Sequence, residues 1–347
     1  MGFTYEEIVT AIENKEISWA LCRRITQLED HAQILSLLKD FYKKYRETLP
    51  ASSVFRVFVP GRTFPAISLT GNDCSLNCSH CEGKYLENMT PASDPIEFVK
   101  NAAKLIQKGA KGFLLSGGCD PLGNLPFLRY ETILQKFKER TEVIYNAHPG
   151  LAEFEEAMAL ARIGVDFLSY DLQLDPKVIS EIHHMKDIDP DDYLYSYLTL
   201  LDTNIEVVPH ILVGAQYGNI DREIDAIKVI EPDRTKRIVF LSLIPPKSNP
   251  NFRAPHPLEV AKVILATKIM FPHLELALGC MHMRDSDLFD LERYAIWAGV
   301  ERLAMPSRAI LKWLESENYQ IQRYSGCCAM PTHLLPEFLV DKFPSAY

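Results

Sequence analysis

Two hydrophobic periods divide the chain. In the first 50 or so residues the apolar positions recur at helical spacing: Ile8, Ile12 and Ile17 follow a cap candidate at Thr4, and Leu35, Leu38 and Phe41 line one face of a segment that ends in charged residues 43–46. From Val54 onward, short aliphatic or β-branched runs alternate with helical stretches. Eight such runs stand out, at residues 66–70, 112–116, 142–147, 165–170, 206–213, 237–243, 275–278 and 302–304, and helical patterns follow most of them, at 95–108, 151–163, 220–230, 257–270 and 288–298. Alternation of this kind predicts an α/β fold with a parallel sheet. Eight repeats fit a closed (βα)8 barrel of the TIM type, whose chemistry lies at the C-terminal ends of the strands. The expected organisation is a helical extension over 1–62, the barrel over 63–312, and a tail over 313–347 that folds over the barrel mouth.

Composition narrows the picture. The 347 residues suffice for one barrel with extensions, and a formal charge of −9 with no Lys/Arg stripe argues against a nucleic-acid partner. No apolar signal segment opens the sequence and no uninterrupted run of about 20 apolar residues appears, so the expectation is a cytoplasmic protein without a membrane partner. In a reducing compartment the eight cysteines are metal ligands or buried thiols rather than a disulfide framework. Cys22, among apolar neighbours, reads as a small core residue.

Chemistry concentrates after the first run, in Cys74-Ser-Leu-Asn-Cys78-Ser-His-Cys81. Three thiolates on one short loop can hold three irons of a [4Fe–4S] cube and leave the fourth open to a small molecule. Zinc is the other reading, but a structural zinc site needs a fourth ligand, and none lies nearby in sequence. Other strand ends carry polar or small residues. Gly117 and Gly118, ahead of Cys119, Asp120 and Pro121, allow close approach to the backbone. The third run ends in Asn146 and Ala147, with His148 next; for Asn146 and His148, contact with a ligand and an ordinary turn before Pro149 and Gly150 are equal readings. Ser169 and Asp171 suit ribose hydroxyls, and Gly214 closes the fifth run. His183 and His184 read as a solvated helix face, and residues 244–250 as a proline-rich rim loop. Cys280 and Arg308 fall at the active end. In the tail, Cys327 and Cys328 are adjacent, and with Cys280, and more weakly Cys119, would form a second metal site; an incidental pair of thiols is the alternative.

The C-x3-C-x2-C spacing resembles that of the radical S-adenosylmethionine (SAM) superfamily, with His80 where the pattern usually has an aromatic ring. The resemblance implies that Cys74, Cys78 and Cys81 hold a [4Fe–4S] cluster whose open iron chelates SAM. It further implies that Gly117 and Gly118 receive the methionine end, with Cys119 where an acid is usual, and that Gly214 lies under the adenine, so that valine at position 118 should weaken SAM binding more than cluster content. From Thr63 to Cys328 the chain is similar to the biotin synthase and lipoyl synthase group, in particular to archaeal-type biotin-synthase-related proteins. The motifs behind this are Cys78 to Leu86, Ser116-Gly-Gly-x-Asp120, Leu278 to Met281, and Ala298-Gly-Val300 with Met305-Pro-Ser307. Only Cys22 precedes Cys74, so the N-terminal cysteine triplet of single-chain lipoyl synthases is absent.

The implied activity is radical SAM sulfur insertion into an octanoyl group on a lipoyl-carrier protein. Cys280, Cys327 and Cys328 would hold a second cluster as sulfur source, a ferredoxin- or flavodoxin-type donor would supply electrons, and a second radical SAM subunit would act alongside. Methyl transfer or carbon-skeleton rearrangement in cofactor synthesis is the competing enzyme reading, and a non-catalytic metal-binding scaffold is the reading of another class.

Overall fold

The computed structural model describes residues 4–50 and 53–343. Three amphipathic helices come first: α1 (Tyr5–Glu13), α2 (Trp19–Thr26) and α3 (His31–Thr48). Thr4 caps α1 in a capping box with Glu7, Ser18 caps α2 and Asp30 caps α3, which places each start where an orphan N–H needs an acceptor.

The eight runs read from the sequence are strands, and four more join them. In chain order they are β1 (Val54–Phe58), β2 (Ala66–Ser68), β3 (Thr90–Pro91), β4 (Gly112–Ser116), β5 (Ile144–Ala147), β6 (Phe167–Asp171), β7 (Glu206–Val213), β8 (Arg237–Ser242), β9 (Glu275–Leu278), β10 (Arg302–Ala304), β11 (Gln320–Tyr324) and β12 (Leu339–Val340). They form one curled sheet in the order β12-β11-β1-β10-β9-β8-β7-β6-β5-β4-β2-β3. Every pairing is parallel except that of β11 with β12. The sheet crosses the expected boundaries. β1, which belongs to the expected extension, lies between β10 and β11, pairing Arg56 with Arg302 on one side and with Gln322 on the other.

Outside the wall, the helix Pro257–Met270 presents apolar residues on every side and is buried along nearly its whole length. Such a helix needs cover on both sides, and the N-terminal helices supply it. Cys22, fully buried, donates to Ala266 O at 3.4 Å, and Lys262 Nζ donates to Leu28 O at 2.6 Å. Among the described residues no helix is long and apolar enough to cross a membrane.

Inside the wall, the inward residues Phe58, Ile144, Phe167, Val208, Val239, Ala277, Ala304 and Tyr324 form one apolar cluster with Cys328, Ala329, Met330, Leu335 and Phe338 of the tail. The tail therefore does more than cover the mouth, because it enters the barrel and fills it. At the floor, where the strands begin, buried charges hold it. Glu275 pairs with Arg302 at 2.7 Å, Arg56 at 3.0 Å and Arg237 at 3.4 Å, and Arg237 also pairs with Glu206. Arg302 donates onward to Cys328 O at 3.0 Å and Met330 O at 2.6 Å, and Arg237 to Ala329 O at 3.2 Å. The same segment occupies the seam between the two ends of the sheet: the Phe338 and Phe64 rings meet at 5.7 Å, Thr63 Oγ1 donates to Ser325 O, and Lys111 Nζ donates to Glu337 O at 2.6 Å.

Candidate active site

The three-cysteine loop follows β2 as a series of tight turns. Gly71, Asn77, Glu82 and Gly83 take positive φ, and Cys81 N and Glu82 N both donate to Cys78 O, at 2.9 and 2.8 Å. Its base is docked on the glycine segment after β4: Gly118 N donates to Thr70 Oγ1 at 2.7 Å and Ser75 N to Cys119 O at 2.8 Å. A methyl group added at Gly118 would lie 2.1 Å from Asp73 O and 2.4 Å from Cys74 Cβ. Gly118 thus lets the backbone of the cysteine loop approach. A side chain here would therefore press on the cluster loop itself, which the expectation of an effect mainly on SAM does not include.

Three observations test whether these residues suit a [4Fe–4S] cluster. The donors are soft thiols without disulfide bonds. Burial pushes Cys78 up to about 12, with the Cys81 and Cys74 thiols adding to the shift, and burial also raises Cys81. As free thiols they stay protonated, and a cluster cation is what makes buried thiolates favourable. Thirdly, His80 Nδ1 is buried without a partner, and His80, held neutral by burial at a pKa of about 4, lines a cavity of about 310 Å³ with Cys81, Tyr85, Ile244 and Pro245. The residues fit a cluster with a ligand pocket beside it. No three His, Cys, Asp or Glu side chains among the described residues converge on a single metal ion. The proline-rich loop forms part of this wall, and Ser248 Oγ donates to Glu82 across it at 2.5 and 2.6 Å.

The lumen is lined from β5, β6 and β7. Asp171 keeps 68% of its side-chain surface open to it, although desolvation by the surrounding walls raises its carboxyl pKa. His148 Nδ1 lies 3.9 Å from Asp171, and the His148 and His210 rings meet edge to face at 5.2 Å. Burial depresses both imidazoles to about 4. His210 escapes a reading based on strand ends because it lies inside β7 rather than after it.

Asn146 and Ser169 are tied to each other and to the tail. They are buried, hydrogen-bond each other at 3.0 Å, and Asn146 Nδ2 donates to Cys327 Sγ at 3.7 Å. Cys328 donates to Cys327, and this bond, with the Ala329 N–H, the Arg302 charge and Asn146, outweighs burial and lowers the Cys327 thiol, whereas Cys328 is pushed up. Cys280 opens to the lumen, and its thiol, raised to about 11 by burial and by Cys327, shares the neighbourhood of Tyr85 with Cys81. The structure thus brings Cys280 and the tail pair to the same interior and leaves Cys119 beside Cys74 and Cys78. Gly214 takes φ +81, with its N–H held by Glu223 at 2.9 Å. Arg308 begins the helix Arg308–Ser316. His183 and His184 are not on a helix face. They end the π-helical turn Val178–Ile182, which packs against the cysteine loop.

The loop, its glycine dock and the strand order coincide with a known pattern: residues 68–240 match the model of the Radical SAM superfamily. The chain belongs to the radical SAM superfamily. Among solved structures it is similar to HydG, a maturase of the [FeFe]-hydrogenase, with 14% identity, 94% of this chain and 78% of that chain covered, and a TM-score of 0.67. It is also similar to methylornithine synthase (PylB), with 17% identity, 86% and 85% covered, and a TM-score of 0.60. These likenesses place the fold, a curled, mostly parallel half-barrel. Comparison with curated protein sequences finds no match.

As a radical SAM enzyme the protein binds a [4Fe–4S] cluster and SAM, and Cys74, Cys78 and Cys81 are the residues that would hold the cluster. When bound, the cluster supplies the electron that cleaves SAM to a 5′-deoxyadenosyl radical. The protein's own part is spatial. The turns of the loop fix three thiols, a cavity of about 310 Å³ beside Cys81 offers room for a ligand, and the lumen confines whatever the radical meets.

Proposed function

We propose that the enzyme uses this radical to insert sulfur into an unactivated C–H bond, with an octanoyl group on a lipoyl-carrier protein as substrate. The observation that supports this reading is the return of the tail into the barrel, which sets Cys327 and Cys328 against the interior apolar cluster and within electrostatic reach of Cys280. A carbon radical formed in the lumen then has sulfur chemistry as its neighbour before solvent reaches it. Cys280, Cys327 and Cys328 would hold a second cluster as sulfur source. A ferredoxin- or flavodoxin-type protein would deliver electrons, and a second radical SAM subunit would share the two insertions.

Anaerobic reconstitution tests this. The wild type should hold about eight irons per chain, and Cys327→Ala/Cys328→Ala about four, because each cubane has four. The double variant should still form 5′-deoxyadenosine but transfer no sulfur to an octanoylated carrier. Wild-type iron content and product in the double variant would remove the second cluster and leave methyl transfer or rearrangement as the better reading.

A further inference from the structure

The π-helical turn Val178–Ile182 and the two histidines after it meet the cysteine loop at several points, none of them accounted for by ligation or by the fold of the wall. Ile182 O accepts from Ser79 N at 2.8 Å. His184 uses both ring nitrogens. Nδ1 lies 2.9 Å from Leu76 O, a carbonyl that can only accept, so Nδ1 carries the proton; Nε2 is then the acceptor for Ser79 Oγ–H, also at 2.9 Å. Leu76 lies in the spacer between Cys74 and Cys78, and Ser79 in the spacer between Cys78 and Cys81. One imidazole therefore ties together the two spacers that set the relative positions of all three thiols.

Local backbone geometry reinforces the point. His184 has φ +61, a left-handed conformation that a residue with a Cβ adopts at a cost and that persists only where its surroundings hold it. Single π-helical turns, likewise unfavourable, concentrate at functional sites. Behind His184, the His183 ring packs against His80 at 5.4 Å and its Nδ1 meets Tyr193 OH at 3.1 Å, so the turn itself is anchored to the helix Pro190–Leu201.

We infer that His184 is a positioning residue for the [4Fe–4S] cluster: its ring staples the two spacers of the C-x3-C-x2-C loop, holding the three sulfurs in the arrangement that keeps the cluster in place and its open iron directed to SAM. The inference rests on the superfamily assignment and is independent of sulfur insertion.

The test compares His184→Gly, which removes the ring without straining the left-handed backbone, with His184→Asn, which tolerates that backbone and restores one short amide. Anaerobically reconstituted protein is challenged with an iron chelator, and the EPR spectrum of the reduced cluster is recorded with and without SAM. In His184→Gly, iron loss should be about tenfold faster, the change that about 1.4 kcal/mol brings, and the SAM-induced change in the spectrum should weaken. His184→Asn should fall between it and the wild type. Ser79→Ala should speed iron loss less, and its effect should be non-additive with that of His184→Gly because the Ser79–His184 bond is lost in both. A general structural role would instead lower the unfolding temperature of the cluster-free protein and leave the spectrum alone. Unchanged iron loss and EPR in His184→Gly overturn the inference, and so does strict additivity with Ser79→Ala. If His184→Gly does not fold, His184→Asn and Ser79→Ala decide by the same two readouts.

Discussion

At the scale of single residues, the cysteine loop shows how little of a site lies in its ligands. Cys78→Ala should abolish 5′-deoxyadenosine formation and lower iron content, measured by product chromatography and iron per chain under reductant. Gly118 is a less obvious member of the same unit. A methyl group there would stand 2.4 Å from Cys74 Cβ and 2.1 Å from a backbone oxygen that cannot move alone, an overpacking of about 1–3 kcal/mol. Gly118→Ala should therefore lose iron first, with SAM affinity falling in proportion to the cluster lost. The candidate ligands are legible in the sequence because thiol spacing is a local property, whereas the packing of Gly118 is not: only the fold puts residue 118 against residue 74. Asn146 and Ser169 show the same limit, since their partners are each other and a thiol 181 positions from Asn146.

At the scale of elements, legibility follows burial. Strands walled in on both faces, such as β7 and β8, announce themselves as aliphatic runs, and their ends in the structure agree with the sequence to within a residue. β11 reads Gln-Ile-Gln-Arg-Tyr and lies next to the sheet's end, half-covered, so its polarity hid it. The tail beyond it has no period because it is shaped by what it fills. Its hold on the barrel depends on Arg302, whose side chain is fully buried and bonds Cys328 O, Met330 O and Glu275. Removing one partner of a buried charge cluster typically costs about 3–5 kcal/mol. Arg302→Met should lower stability in chemical unfolding by that order and speed alkylation of Cys327 and Cys328 in the cluster-free protein.

For the whole molecule, buried carboxyls give stability a pH profile with two flanks. Burial raises Glu223 and Glu292 to about 7, against the hydrogen bonds that Gly214 N and Asp221 N give the first and that Ser307 N and Oγ give the second. Their folded pKa lies above the unfolded one, so the stability they contribute is complete below about 4.5 and is lost as pH rises through about 7. Glu275 runs the other way: burial pushes it up, but Arg302, Arg237 and Arg56 together outweigh burial and lower it. Its contribution is present above the ordinary Glu value and is lost as pH falls through the lowered one. Thermal unfolding should therefore peak in weakly acidic buffer. Glu292→Gln, which mimics the protonated acid, should flatten the decline between pH 5 and 8, and an unchanged slope would rule Glu292 out as its source.

The floor network has a consequence for synthesis. Residues 327–338, which fill the barrel, leave the ribosome after every strand from β1 to β11. Without those residues Arg237 and Arg302 would lose the carbonyls of Cys328, Ala329 and Met330 and keep only Glu275 and Glu206 among these partners. A domain folds as a unit, and β1 pairs only with the late strands β10 and β11, so wall and floor close together once the tail is available. Closing the floor is also what carries Cys327 and Cys328 inside.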